Sequence, residues 1–182
     1  MLDTMPKRFF GQTRMARQTA EYFPKGFKTY IEPFAGKAKN AEYAGDVKVH
    51  LNDLSTWSVK YCKENYPEAK VTQEDYATII NQYKYDPDAF ILLDPPWIKI
   101  VEYTFTEKKV QDYYDKIIKL LDGCKCKWML LGAANYNNNR PKEQSSLALK
   151  ALESKFPNTV IFNDRGHILH STPIGVRFIK NY

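Results

Sequence analysis

The chain reads as an α/β protein with a mostly parallel sheet and helices on both faces. Three observations predict it. Apolar strand-like runs alternate with helix-period stretches along all 182 residues, the pattern of parallel strands joined by helical crossovers. One run, Ala89 to Leu93, is apolar at every position, as a strand covered on both faces must be. Several strands also stop abruptly in turns that carry a carboxylate: Glu32-Pro33-Phe34-Ala35-Gly36, Asn52-Asp53 and Asp94-Pro95-Pro96. The carboxyl ends of strands are where open α/β sheets bind ligands.

The elements follow in order. Thr13 to Phe23 has a helical pattern, and Lys28 to Phe34 reads as the first strand. A second strand spans 47–51. Ser55 caps a helix running to about Asn65, which Tyr66-Pro67 ends because the residue before proline avoids the helical region. A strand over 69–73 and a shorter helix from Glu74 to Tyr83 lead to the apolar strand 89–94. Thr106 caps a longer helix, with Val110, Tyr113, Tyr114, Ile117, Ile118, Leu120 and Leu121 on its apolar side and Gly123 at its end. Strand 127–132 precedes an Asn-rich loop, Asn135 to Lys142, and a helix from Gln144 to Phe156 built on Leu147, Leu149, Leu152 and Phe156. Strands 159–162 and 175–181 close the chain, joined by Asn163 to Pro173, which is long for a hairpin.

Length and composition bound the class. The 182 residues suit a single domain over 1–182 with a full core, and 43% hydrophobic with 26% charged residues is ordinary for a globular protein. A net charge of +6 favours an anionic partner. Cys62, Cys124 and Cys126 form neither a disulfide framework nor a zinc motif, so no metal is expected and free thiols suit a reducing cytoplasm. No signal-peptide segment and no run of membrane-spanning length is present, so a cytoplasmic protein without a membrane partner is expected. His50, His167 and His170 lack metal-ligand spacing and read as surface or hydrogen-bonded core residues. Lys37 and Lys39, beside the glycine turn, read as solvated loop lysines.

The turns carry the chemistry. The two prolines after Asp94 fix φ and remove two N–H donors, so the strand stops there with a carboxylate and free carbonyls held in a rigid turn. The ring of Trp97 follows at once. An exocyclic amine of a base can donate to Asp94 and to the Pro95 carbonyl while its ring stacks on Trp97. Gly36 lets a ligand approach the backbone closely. Asp53, at the end of the next strand, stands where a carboxylate can accept from both hydroxyls of a ribose, and that role is favoured over the alternative of capping the helix beginning near Ser55. Neither a phosphate-binding P-loop nor a full dinucleotide fingerprint is present.

Glu-Pro-Phe-Ala-Gly, Asn-Asp-Leu and Asp-Pro-Pro-Trp, in that order, resemble the Dam-type family of S-adenosylmethionine-dependent DNA adenine-N6 methyltransferases. Phe9 to Arg14, Tyr103 to Glu107 and Val176 to Tyr182 are similar to its N-terminal, post-catalytic and closing segments. The resemblance implies a Rossmann-like seven-stranded methyltransferase sheet, mostly parallel with an antiparallel final strand. It implies S-adenosylmethionine as cofactor and DNA as the nucleic-acid partner, with RNA as the rival. Asp94, Pro95, Pro96 and Trp97 would be catalytic. Phe10, Gly11, Arg14, Glu32, Pro33, Phe34, Gly36, Asp53, Asp75 and Asp94 would hold the cofactor, Asp75 accepting from its adenine amine unless it only caps the next helix.

The sequence departs from the family in three places. Ala38 stands where the family usually carries a second glycine, and Trp97 where it usually has Tyr; Trp occurs in related RNA adenine methyltransferases. Only about 20 residues separate Asp75 from Asp94, too few for the family's target-recognition domain. Weak or short-site specificity, a partner subunit that supplies recognition, or a single-stranded or RNA substrate is therefore expected. Ile98 to Tyr103, the 135–142 loop and the 163–173 connection are the places left for base contacts. A non-catalytic nucleic-acid-binding subunit of the same fold is the reading from another class.

Overall fold

The computed structural model describes residues 13–95, 107–134, 154–156, 160–162, 168–169, 172–173 and 175–182. The chain forms two compact units, one of Met1–Asp94 with Gly123–Trp128, the other of Pro95–Asp122 with Met129–Tyr182. Helix α1 spans Thr13–Ala20. The main strands are β1 (Thr29–Glu32), β2 (Lys48–Asn52), β3 (Lys70–Thr72), β4 (Ala89–Leu93), β5 (Lys127–Ala134), β6 (Val160–Phe162) and β9 (Gly175–Lys180). Their order in the sheet is β3-β2-β1-β4-β5-β9-β6, and β9 runs antiparallel to both β5 and β6. This is the expected mostly parallel sheet with an antiparallel closing strand.

In the first unit β1 pairs in parallel with β2 and with β4, Tyr30 lying beside Val49 and Phe90. β2 pairs in parallel with β3. The chain thus steps outward through β1, β2 and β3, then returns to the other side of β1 as β4. That reversal makes a switch point at the carboxyl ends of β1 and β4, the place where open α/β sheets bind ligands. All five residues of β4 are buried, which is why an all-apolar run serves here. Phe90 is the hub of an aromatic cluster, with Phe23, Phe27 and Tyr30 at centroid distances of 5.0, 5.2 and 5.8 Å. Contacts of that kind fix β4 against β1.

Helix α2 (Thr56–Asn65) starts at Ser55, whose side chain accepts from the Ser58 N–H, and ends with Tyr66 as its C-cap, as the sequence predicts. Helix α3 (Tyr76–Tyr83) is capped by Asp75, so it begins two residues later than the Glu74 start read from the sequence. Helix α4 (Glu107–Leu121) belongs to the second unit. Of the helix expected over 144–156, only Ser154 and Lys155 fall within the described residues as helix. A short 3-10 turn at Ala41–Tyr43 was not expected. The 163–173 connection is more than a loop: Ile168–Leu169 (β7) and Thr172–Pro173 (β8) pair as an antiparallel ribbon. β5 extends to Ala134, two residues past its expected end.

A polar cluster at the carboxyl ends of β1, β2 and β3 fixes how these strands finish. The buried Asn52 donates to the Pro33 carbonyl at 3.1 Å and the Glu74 carbonyl at 2.9 Å. Its Oδ1 accepts from the Glu74 N–H at 2.9 Å and the Thr72 hydroxyl at 2.8 Å. With the Thr72 proton committed to Asn52, His50 Nε2 must donate to Thr72 Oγ1, 2.9 Å away. His50 Nδ1 is then free to accept from the Tyr83 hydroxyl at 2.9 Å. Burial, assisted by nearby Lys70, lowers the His50 pKa to about 4, so the ring is neutral at pH 7. His50 is the hydrogen-bonded core histidine that its lack of metal spacing suggests.

Two stability predictions follow from these features. Asn52→Ala leaves at least one strand-end carbonyl and one N–H buried without partners. It is expected to cost about 2–4 kcal/mol in urea unfolding; a loss under about 0.5 kcal/mol would show that the cluster carries no weight. Ala38 holds a left-handed backbone, φ +50°, which an L side chain resists. Ala38→Gly is therefore expected to stabilise by about 0.5–1 kcal/mol, despite the added freedom of the unfolded chain. Destabilisation of similar size, the usual result of Gly for Ala, would count against strain at this position.

Candidate functional site

The parallel strands of the first unit bring four carboxylates to one edge. Glu32 ends β1, Asp53 follows β2, Asp75 follows β3 and Asp94 follows β4. Parallel pairing makes this unavoidable, because every carboxyl end points the same way. The sequence-predicted residues Glu32, Pro33, Phe34, Gly36, Asp53, Asp75 and Asp94 all lie on that edge.

Glu32 is the most constrained of them. It is 2% exposed. Its Oε2 accepts from the Tyr30 hydroxyl at 2.9 Å and its Oε1 from the Asn40 amide at 3.2 Å. Burial raises its pKa to about 8; the Asn40 and Tyr30 bonds oppose the rise, while the charges of Asp94 and Asp53 add to it. Tyr30 is itself pushed well above its usual value, first by burial and then by Glu32. Among the described residues Glu32 has no ion pair with a lysine, arginine or histidine. A buried carboxylate supported only by neutral donors is costly until a proton or a cation joins it.

The turn after β1 is built to leave backbone exposed to a ligand. Pro33 is buried and Phe34 half-buried. The Phe34 ring lies against Tyr76 at the start of α3, centroids 5.0 Å apart. Gly36 has φ +52° and Ala38 φ +50°, so two residues of one tight turn are left-handed. The hydroxyl of Tyr66 reaches this turn, 2.9 Å from the Ala38 carbonyl and 3.1 Å from that of Lys37. Together with the Ala35 N–H donating to the Asn52 carbonyl at 2.8 Å, it tethers the turn from both sides. Ala38 therefore keeps the turn shape that a glycine would adopt without strain.

Asp53 takes the helix-start role that the sequence set against a ligand role. Its Oδ2 accepts from the Gly36 N–H and its Oδ1 from the Ser55 N–H, each at 2.8 Å. It thus locks the glycine turn to the start of α2. Burial raises its pKa, and the Ser55 and Gly36 N–H bonds work against the rise. The Leu54 N–H and the Ser58 hydroxyl add to the donors around this carboxylate. Asp75 Oδ1 accepts from the Ala77 N–H at 2.8 Å, the helix-capping role set beside its cofactor role. Leu54, 56% exposed between Asp53 and Ser55, gives the edge an apolar surface; in the sequence it is only the last residue of Asn-Asp-Leu, because a lone leucine in a turn carries no pattern of its own.

Asp94 follows directly on β4, and its charge reaches both Glu32 and Tyr30. Pro95 is buried. Phe10, Gly11, Pro96 and Trp97 lie outside the described residues, as do His167 and His170; Arg14 is described only as backbone of α1. Lys39 pairs with Glu42. Lys37 sits over the rings of Trp57 and Tyr61, 5.7 and 6.0 Å from their centroids, not free in solvent as its loop position suggests. No group of three His, Cys, Asp or Glu residues among those described could hold a metal ion. No described helix is long and apolar enough to cross a membrane.

This edge brings together a buried carboxyl group at Glu32, a pinned acceptor at Asp53 and an acceptor at Asp94. No protein-family model matches the chain, and no curated protein matches it in sequence. Solved structures do match its fold. An rRNA methylase from Streptococcus thermophilus aligns over 98% of this chain and 99% of its own, with a TM-score of 0.57 at 12% identity. A candidate methyltransferase from Streptococcus mutans, solved with SAH, aligns over 98% and 100%, with a TM-score of 0.57 at 15% identity. A SAM-dependent methyltransferase from Archaeoglobus fulgidus aligns over 92% of both chains, with a TM-score of 0.58 at 11% identity. The fold is the Rossmann-like fold of SAM-dependent methyltransferases.

Proposed function

We propose that the protein is an S-adenosylmethionine-dependent methyltransferase that modifies the N6 amino group of adenine in nucleic acid. The observation that carries this reading is the pairing of Glu32 and Asp94 at the switch point between β1 and β4. It sets a buried carboxyl group with no cationic partner among the described residues near a carboxylate that opens the Asp-Pro-Pro run.

The residues present fit the cofactor. Glu32 needs a cation, which the ammonium of a methionine-type tail supplies. Asp53, held by Gly36 and Ser55, offers rigid acceptors for a ribose diol. Leu54 and Phe34 provide apolar surface for an adenine ring, and Asp75 stands at the next strand end to accept from its amine. The cofactor, when bound, supplies an activated methyl group on sulfur. The chain's own part is to bind the target amine and polarise it. That nitrogen is a poor nucleophile because its lone pair is delocalised into the ring. Hydrogen bonds to Asp94 and the Pro95 carbonyl favour a tetrahedral geometry and stabilise developing positive charge. Trp97 would stack on a base taken out of its helix.

DNA is the first substrate by the Dam-type resemblance. RNA is the second reading, favoured by one specific observation. The stretch between Asp75 and Asp94 is filled by α3 and a short turn into β4, which leaves no room for a recognition domain. Two of the matched folds also carry RNA-modifying descriptions, an rRNA methylase from Streptococcus thermophilus and one from Clostridium thermocellum. Compactness of this sort also suits a partner subunit that supplies recognition.

The test is transfer of labelled methyl from S-adenosylmethionine to duplex DNA, single-stranded DNA and RNA, read by nucleoside mass spectrometry. N6-methyladenine is expected in one of them, and its absence from all three, with cofactor bound, would favour the non-catalytic subunit. Asp94→Ala is expected to lower kcat by about 100- to 1,000-fold while the circular dichroism spectrum is retained. Full activity of that variant would remove Asp94 from the chemistry.

A further inference from the structure

Glu32 faces an unusual set of neighbours. Tyr30 on β1 and Asn40 in the following turn each donate one hydrogen bond to it. Asp94 at the end of β4 and Asp53 at the end of β2 add negative charge. From α2 and its C-cap, Cys62 and Tyr66 complete the titratable groups around it, and both are held protonated, first by burial and with Glu32 contributing. Among the described residues, every titratable group that faces Glu32 is therefore acidic. An empty site must keep Glu32 neutral; a site filled by a cation must not.

We propose that Tyr30 and Asn40 are positioning residues that keep Glu32 in place as it passes from the neutral acid that its burial favours in the ligand-free protein to a carboxylate against the cofactor's ammonium, so that cofactor binding expels one proton. The proposal rests on the cofactor reading above. The step balances simply: Glu32–COOH and the ammonium ligand give the carboxylate–ammonium pair, and the proton leaves to solvent. Both donors can serve both states. Tyr30 and Asn40 each bond one oxygen of the carboxylate, and in the neutral acid one oxygen remains a pure acceptor while the Tyr30 hydroxyl can turn to accept.

The sign follows from linkage. The ligand selects the ionised form, so affinity rises with pH while Glu32 is still protonated in the free protein, and it levels off near pH 8. Below that plateau the affinity falls by up to about tenfold per pH unit. In the ligand-free protein the same group works against folding. A raised acid pKa means that the native state holds the extra proton, so its stability declines from about pH 4.5 to about pH 8.

The experiment is calorimetric titration of the full chain with S-adenosylhomocysteine from pH 5.5 to 9, in two buffers of different ionisation heat. About one proton released per ligand at pH 7 is expected, with the affinity plateau near pH 8. Tyr30→Phe removes one donor to the carboxylate and is expected to move the plateau upward by about one pH unit. The ligand's own amine titrates identically against both proteins, so the shift belongs to the site. A merely structural Tyr30 would lower affinity by the same factor at every pH, and that result overturns the proposal. Binding without proton release in the wild type overturns it as well. Absence of any binding at millimolar ligand overturns the cofactor reading itself and is told apart by the missing heat.

Discussion

One amide side chain sets the geometry from which the candidate site is made. Asn52 uses all four of its hydrogen-bonding directions inside the protein, on Pro33, Thr72 and the two backbone groups of Glu74. A parallel sheet has no hairpins to fix where neighbouring strands end relative to one another; only the crossovers and such local ties do so. By binding the ends of β1, β2 and β3 together, Asn52 determines where the Glu32 turn, Asp53 and Asp75 stand. Because an amide leaves no spare proton or lone pair in this arrangement, it also dictates the hydrogen-bond sense of Thr72 and, through it, the tautomer of His50.

The site edge is correspondingly a structure of turns, not of a helix face or a cavity in the core. Each turn is immobilised by a contact made elsewhere: the Gly36 turn by Asp53 and Tyr66, the start of α3 by Asp75, the end of β4 by burial of the whole strand. Such preorganisation matters for a site meant to bind charge, since acceptors already locked in place lose little entropy on meeting a ligand. Glu32 shows the opposite side of the same design. Its burial is unfavourable for an ionised carboxylate, a cost that the proposed cofactor's ammonium would offset.

Much of this was legible in the sequence, for identifiable reasons. The apolar run Ala89 to Leu93 has one physical meaning, a strand covered on both faces, and Asp-Pro-Pro has one meaning after it. Ser55 and Tyr66-Pro67 fixed α2 because caps and pre-proline residues act locally. The ribbon of β7 and β8 was not legible, since two-residue strands have no periodicity to detect. Nor was Asn52: an asparagine at a strand end reads as a turn residue, and its four partners come from segments up to 22 residues away. Glu32 lies at the carboxyl edge of the strands, where a strand-end residue must lie, yet its burial depends on Tyr30 and Asn40 converging from two directions. Asp53 shows the limit in another way, because its hold on the Gly36 turn, 17 residues away, has no local pattern to announce it.

The turn at Ala38 has a consequence for how such a chain can change. Its left-handed backbone is enforced by a tether, the Tyr66 hydroxyl on the carbonyls of Lys37 and Ala38, and not by the residue's own preference. Position 38 and position 66 are thus epistatic. With glycine at 38 the tether is dispensable, and Tyr66 can drift; with alanine at 38 it is required. The order of acceptable substitutions is constrained accordingly: the tyrosine must be in place before the glycine is given up, and the glycine must return before the tyrosine is lost. A loop whose shape is stored in a neighbour 28 residues away can shed its glycine signature and still keep its form.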